Sequence, residues 1–228
     1  MRRIHAMTST CLRWLPALAL LLPGLLSGAP AQADTFGGRA YAAYVSVPTL
    51  GVAPVTLADS GELPPGGGWD GAGLAGAAYP GVFQASVLNS VTSGGSGRAG
   101  STASLADLAL LPGHPARLTA SFVMAEAAAT GAGATGVTRV DGLSFGGVPV
   151  RVTGAPNQTV SLPLVATLFI NEQRVTSIGG VQAVAVNALR LVLVTGEQVI
   201  LAGARSQVDP AGTAVAAARR GAAGRCDA

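Results

Sequence analysis

Lysine is absent from the 228 residues. Schiff-base chemistry and lysine general bases are therefore excluded. Cysteine occurs twice, as Cys11 and Cys226. Cys11 falls in the leader described below, which leaves Cys226 with no partner in the mature chain. No internal disulfide can staple the protein, so stability has to come from a packed core. Cys226 reads as an unpaired tail thiol, with an intermolecular disulfide as the alternative. Aromatic residues are 4% of the chain although apolar residues are 49%. The apolar weight lies in Ala, Val and Leu, with 32 Gly among them. Such a composition suits thin, closely stacked sheets better than large cavities. Uninterrupted apolar runs are also missing. The best of them, Trp14 to Leu26, is broken by Pro16 and Pro23 and is too short to span a bilayer.

The formal charge of +3 does not describe the mature chain. Arg2, Arg3 and Arg13 supply it, and from Asp34 onward 11 Arg balance 11 Asp plus Glu. No basic footprint for nucleic acid follows.

Residues 1–33 have the layout of a secretory signal peptide: three arginines, the apolar Trp14–Leu26 stretch, then Ala31-Gln32-Ala33 as an A-x-A cleavage site. The mature chain is expected to begin at Asp34. Residues 34–208 carry short apolar alternations separated by Gly, Pro and Asn, the rhythm of consecutive strands. In the first, Arg39, Tyr41, Ala43 and Val45 alternate with Ala40, Ala42, Tyr44 and Ser46. Residues 59–81 read as a long Gly/Pro-rich loop holding Trp69 and Tyr79. Two strands follow around Gly94 to Gly97, with Gln84, Ser86 and Ser90 expected outward on the first. Residues 116–130 are rich in Ala, which favours helix. Leu118, Ala120, Phe122 and Met124 alternate with Thr119, Ser121, Val123 and Ala125, however, and this predicts a strand. Further strands are expected at 137–141, 143–145, 148–153, 159–162, 167–172, 183–194 and 198–204. From Asp209 the pattern stops, and 209–228 reads as a disordered tail. The whole predicts an all-β antiparallel sandwich of about nine to twelve strands, with a β-solenoid as the alternative.

Several motifs match by letter only. Gly142 to Gly146 fits G-x-S-x-G, but a nucleophile elbow needs a helix after the serine, and GVPVRV follows. The one histidine outside the leader, His114, lies between Gly113 and Pro115. Gly131 to Gly136 fits G-x-G-x-x-G, but a strand-like VTRVD follows where a dinucleotide site needs a helix. It reads as a hairpin loop. Glu126, Asp141, Glu172 and Glu197 lie on or near strands, without a pairing that would indicate glycoside hydrolysis. No D-x-D calcium loop occurs. Asn171, Glu172 and Asn187 read as polar groups satisfying turn backbone at strand ends. No catalytic residue, metal or cofactor is expected.

Phe169 to Gln173 (FINEQ) and Val186 to Leu191 (VNALRL) form a distinctive pair, supported by GAPNQTVSLP at 154–163, FGGRAYAA at 36–43 and TLADSGELPPGGG at 56–68. On these residues the chain resembles the choice-of-anchor P family of bacterial secreted proteins, over about residues 36–206. The resemblance implies an extracellular β-domain and no established activity. Arg190 stands where the family pattern tends to have His, and the domain has none of the cysteines that many members carry. The expected function is a secreted, non-enzymatic, structural or adhesive domain, free or wall-associated, whose partners are surface glycans or proteins. The alternative is a carbohydrate- or ligand-binding module whose platform is Trp69 and Tyr79 in the 59–81 loop.

Overall fold

The computed structural model describes residues 33–50, 52–162 and 166–211. The expected leader, apart from Ala33, and residues 212–228 lie outside the described residues. Thirteen strands are present among those described: β1 (Thr35–Val47), β2 (Val52–Asp59), β3 (Gly68–Tyr79), β4 (Phe83–Gly95), β5 (Arg98–Leu110), β6 (Leu118–Thr130), β7 (Gly133–Asp141), β8 (Ser144–Phe145), β9 (Val148–Pro149), β10 (Gln158–Leu162), β11 (Ala166–Ile178), β12 (Val181–Leu193) and β13 (Gln198–Asp209). Two of them, β8 and β9, are only two residues long. A short 3-10 turn at Pro48–Leu50 links β1 to β2.

The strands form two antiparallel sheets. One has the order β10-β11-β12-β13-β1-β2. The other runs β3-β4-β5-β6-β8-β9, with β7 also paired to β6. β1 and β13 pack over β4, β5 and β6, while β12 packs over β6 and β7, which makes a sandwich. Three hairpins use two-residue loops with both residues at positive φ: Ser96-Gly97 (51° and 73°), Gly146-Gly147 (57° and 82°) and Gly179-Gly180 (61° and 91°). Those are the loops whose twist matches that of the strands they join. The 116–130 segment is strand β6, as its alternation predicts. Its Ala residues pack the narrow space between the sheets, with Ala120, Ala125, Ala127 and Ala129 all buried. The G-x-G-x-x-G stretch is the β6–β7 hairpin.

Four expectations are corrected. The 59–81 segment is not one long loop, since β3 occupies residues 68–79 and pairs with β4 along its length. Glycine and alanine hide this strand from propensity, and ladder hydrogen bonds to β4 hold it. The 148–153 strand is reduced to Val148–Pro149. The final strand runs through Asp209, and Ala211 N–H still donates to Asp34 Oδ1 at 2.6 Å. Lastly, the plain alternation assumed along β1, β4 and β6 reverses partway.

That reversal is collective. In β1, Ala40 and Ala42 face inward, and so do Ala43 and Val45. Tyr41 and Tyr44 therefore share the outer face, although alternation places them on opposite faces. Across the six-stranded sheet, the residues between the paired rows Ile170–Leu189–Leu201–Ala43–Leu57 and Glu172–Asn187–Gly203–Tyr41–Asp59 are Asn171, Ala188, Ala202, Ala42 and Ala58. All five are buried. Asn171, Ala202 and Ala58, on every second strand, have left-handed φ of 54°, 51° and 46°. The register is the same on both sides, so this is not a bulge that adds a residue to one strand. It is a crease that crosses five strands.

The facing sheet is creased too, at Val87 (φ 48°), Asp107 (φ 49°) and Gly142 (φ 64°). Here β4 and β5 do shift register, between Gln84 and Asn89. As a result Val87 is pushed outward, and Ser90, expected outward, is buried. In β6, Val123 and Ala125 take over the inward face from Leu118 and Ala120, which leaves Phe122 and Met124 off it.

Near one end of the sandwich the core is polar. Thr92 Oγ1 and Ser101 Oγ are 2.7 Å apart, Ser101 Oγ donates to Arg205 O at 2.7 Å, and Ser206 Oγ donates to Ala127 O at 2.9 Å. These hydroxyls join the sheets where Gly38 makes room. A Cβ at Gly38 would fall 2.9 Å from Ser101 Oγ and closer still to Thr92 Oγ1.

Candidate functional site

Trp69 and Tyr79 do not meet. They lie at opposite ends of β3, ten residues apart, which is roughly 33 Å of extended chain. Their cross-strand partners also differ: Trp69 pairs with part-exposed Ser93, and Tyr79 with fully buried Phe83. Tyr79 is nevertheless 37% exposed. Trp69, 70% exposed, lies against Gly71. The single aromatic platform expected in this segment is therefore not formed.

The letter-matched serine and histidine are likewise apart in role. Ser144 Oγ is 2.8 Å from Thr119 Oγ1, and β9 rather than a helix follows it. His114 Nδ1 accepts from Ala116 N–H within its own exposed turn. Among the described residues, no three His, Cys, Asp or Glu side chains gather to hold a metal ion. No helix among the described residues is long and apolar enough to cross a membrane.

Chemistry-bearing side chains do converge on the outer face of the six-stranded sheet. Three transverse rows lie side by side there. The first is Glu172–Asn187–Gly203–Tyr41–Asp59, the second Phe169–Arg190–Ile200–Tyr44–Thr56, and the third Arg174–Ala185–Arg205–Arg39. The crease determines this gathering. Because two consecutive residues of β1 turn inward, Tyr41 and Tyr44 come to the same side, edge to face with ring centroids 6.5 Å apart. In the same way β12 brings Asn187 and Arg190 together.

Glu172 is held at both oxygens. Asn187 Nδ2 donates to Oε2 and Arg190 Nη1 to Oε1, each at 2.8 Å. The Arg190 guanidinium also stands 5.3 Å from the Phe169 ring centroid. On the far side, Arg39 grips Asp59 through two contacts, 2.9 Å from Nε to Oδ1 and 2.5 Å from Nη2 to Oδ2. The Arg39 hydrogen bond holds the Asp59 carboxyl below its usual range, against the opposing pull of partial burial. Glu62 accepts from Arg205 and lies 3.5 Å from Arg39. Burial raises the Tyr41 hydroxyl above its ordinary pKa, with Arg39 and Arg205 opposing the rise.

Between the rows lies an open trough of about 590 Å³ lined by Asn157, Glu172, Gln173, Arg174, Ala185, Asn187, Arg190, Gln198 and Ile200. It shares Arg174 and Ala185 with a second hollow of about 290 Å³ that reaches Glu62 and Arg205. The floor is low where Ala185, common to both hollows, is short. The arrangement presents fixed hydrogen-bonding groups and aromatic faces. Its carboxylates are committed to arginines and its phenol is held protonated. Glu172 and Asp59 are four strand spacings apart, about 19 Å, well beyond the separation two cooperating glycosidase carboxylates need.

The two asparagines are not at strand ends, as expected, but mid-strand. Asn171 is buried in the crease; its Nδ2 donates to Gly154 O at 2.9 Å, and its Oδ1 accepts from Gln173 Nε2 at 2.7 Å. Asn tolerates left-handed backbone better than other residues bearing a Cβ. The FINEQ and VNALRL segments are thus adjacent pieces of one feature: Asn171 bends the sheet, and Glu172, Asn187 and Arg190 form the outer cluster. Sequence reasoning noted these residues individually. The consecutive inward residues Ala42-Ala43 in YAAY and Leu201-Ala202 in LAGA mark the face change that unites them.

The chain matches no protein-family model, no curated protein and no solved structure.

Proposed function

We propose that this chain is an exported, non-catalytic β-sandwich that binds a glycan or protein of the cell surface through the outer face of its six-stranded sheet. The observation that carries the reading is the three-row cluster around Tyr41, Asn187 and Arg190. Planar hydrogen-bonding groups, immobilised by one another, stand beside part-exposed aromatic rings and a hollow floored by Ala185. Pre-ordered polar groups next to aromatic surface lose little freedom on binding. The leader-like residues 1–33 support export, and the resemblance of FINEQ and VNALRL to a secreted family supports an extracellular setting. The neutral balance of charges from Asp34 onward argues for a specific surface over general electrostatic adhesion.

The test is sedimentation of purified protein with cell-wall fragments of the producing organism. Wild type is expected to co-sediment, and Tyr41→Ala and Asn187→Ala to remain largely in the supernatant while staying folded by circular dichroism. Trp69→Ala, on the other sheet, should behave as wild type. Loss of binding in Trp69→Ala with retention in Tyr41→Ala would move the contact to the seven-stranded sheet and overturn the assignment.

A further inference from the structure

We infer that the ligand of this face is an acidic polysaccharide, whose carboxylate or other anionic groups are received by Arg174 across the Ala185 floor. The inference rests on the reading of this face as a binding surface and adds the charge of what it binds.

The argument begins with the distribution of charge. Residues 33–211 contain eight Arg (39, 98, 117, 139, 151, 174, 190 and 205) and ten acids (34, 59, 62, 70, 107, 126, 141, 172, 197 and 209), a balance of minus two. Four of the eight arginines nevertheless stand on this one face: Arg39, Arg174, Arg190 and Arg205. Three acids touch these arginines, Asp59, Glu62 and Glu172, and Asp209 lies farther along the same side of β13, so the surplus of one cation is local to the three rows. Each of the three acids is engaged: Asp59 with Arg39, Glu62 with Arg205 and Arg39, Glu172 with Arg190. Arg174 is the remaining cation. It has no ion pair among the described residues, and it is exposed at the junction of the two hollows.

Geometry adds the rest. Arg174, Ala185 and Arg205 are direct cross-strand neighbours in one row. Two guanidinium-bearing strands therefore flank a methyl group at a separation of about 10 Å. A bulkier residue on β12 would close that gap, and Ala185 leaves it open as a channel along β12. Guanidinium groups bind carboxylates through paired hydrogen bonds, while Asn187 and Gln198, which line the larger hollow, offer partners for hydroxyls. An extended, hydroxyl-rich polymer bearing acidic groups matches both sets. A neutral glycan would leave Arg174 unused. A compact anion would leave most of the channel unused.

The experiment is affinity electrophoresis of the purified protein in native gels containing alginate or polygalacturonate, with dextran and hydroxyethylcellulose as neutral controls. Retardation is expected in the acidic polymers alone. Arg174→Gln is expected to weaken it about tenfold, the effect of losing one charged hydrogen-bonding partner. Ala185→Leu, which raises the floor and removes no charge, should weaken it as well. Arg98→Gln, an exposed arginine on β5 of the other sheet, should leave it unchanged. If Arg98→Gln costs as much as Arg174→Gln, the attraction is general and the inference fails. Retardation by neutral polymers that is lost in Tyr41→Ala would overturn the acidic ligand while leaving the face as the binding surface. Absence of retardation in every polymer also overturns the inference. In that case wall co-sedimentation decides separately whether the face binds at all.

Discussion

The ring of Tyr41 packs directly against Gly203 on the neighbouring strand. A Cβ at Gly203 would fall 2.6 Å from both Cε2 and Oη of Tyr41. The glycine backbone gains cover, and the ring gains a fixed position in the middle of the polar rows. Gly203→Ala should therefore displace the ring and destabilise the fold by about 1–3 kcal/mol. In a Tyr41→Ala background the added methyl meets no ring, so its cost should largely vanish. A double-mutant cycle from urea unfolding measures the coupling, and additive effects would show that the two residues are independent.

Asn171 inverts the usual ranking of strand residues. Within a strand, glycine is ordinarily worse than alanine by about 0.5–1 kcal/mol. At Asn171, with φ of 54°, alanine carries a left-handed penalty of about 1–2 kcal/mol that glycine escapes. Both substitutions lose the hydrogen bonds to Gly154 and Gln173. Asn171→Ala should be the more destabilising of the two, and midpoints of thermal or denaturant unfolding give the order. Asn171→Gly as the less stable variant would contradict the role assigned to the crease.

The Arg39–Asp59 pair predicts a pH dependence with a definite sign. The Asp59 carboxyl has its pKa depressed in the folded protein. Its contribution to stability is therefore present above the unfolded value of about 3.9 and is lost as pH falls through the lower folded value. Asp59→Asn should be less stable than wild type at neutral pH, and the gap should narrow below about pH 4. Unfolding curves for both proteins across that interval supply the check, and a gap constant with pH would count against the pairing.

Two buried serines should respond in opposite ways. Ser101 links Thr92, Ser206 and the Arg205 carbonyl, so Ser101→Ala strands buried partners and should cost about 1–3 kcal/mol. Ser90 Oγ, among the described residues, is buried with no hydrogen-bond partner. Ser90→Ala removes an unsatisfied group and should be neutral or stabilising. Comparing the two unfolding midpoints at one pH is sufficient.

Much of the architecture was legible because strand propensity and glycine turns coincide. Ser96-Gly97, Gly146-Gly147 and Gly179-Gly180 punctuate the chain where they stand in sequence. The 116–130 segment is legible as strand because its alternation outweighs its alanine content. What was not legible had physical causes. β3 is composed almost wholly of Gly and Ala apart from Trp69, Asp70, Leu74 and Tyr79, so its pairing with β4 leaves no propensity signal. The outer cluster was missed because each strand was assumed to alternate throughout. A left-handed φ at a non-glycine residue such as Ala202 or Ala58 is imposed by neighbouring strands, and a single sequence does not display its neighbours. Trp69 and Tyr79 are close in sequence, yet extended chain is the conformation that separates such residues most.

The crease has a consequence for how such a chain can change over time. Each creased strand of the six-stranded sheet presents one pattern before the crossing line and its mirror pattern after it. Losing one residue at the line in a single strand would restore simple alternation there, while throwing half of that strand out of step with both flanking strands. No single step removes the feature, and any repair has to happen in several strands at once. The line thus behaves as a shared boundary condition, inherited whole or lost whole, and a sequence descended from this one should carry two consecutive inward residues in all five strands together.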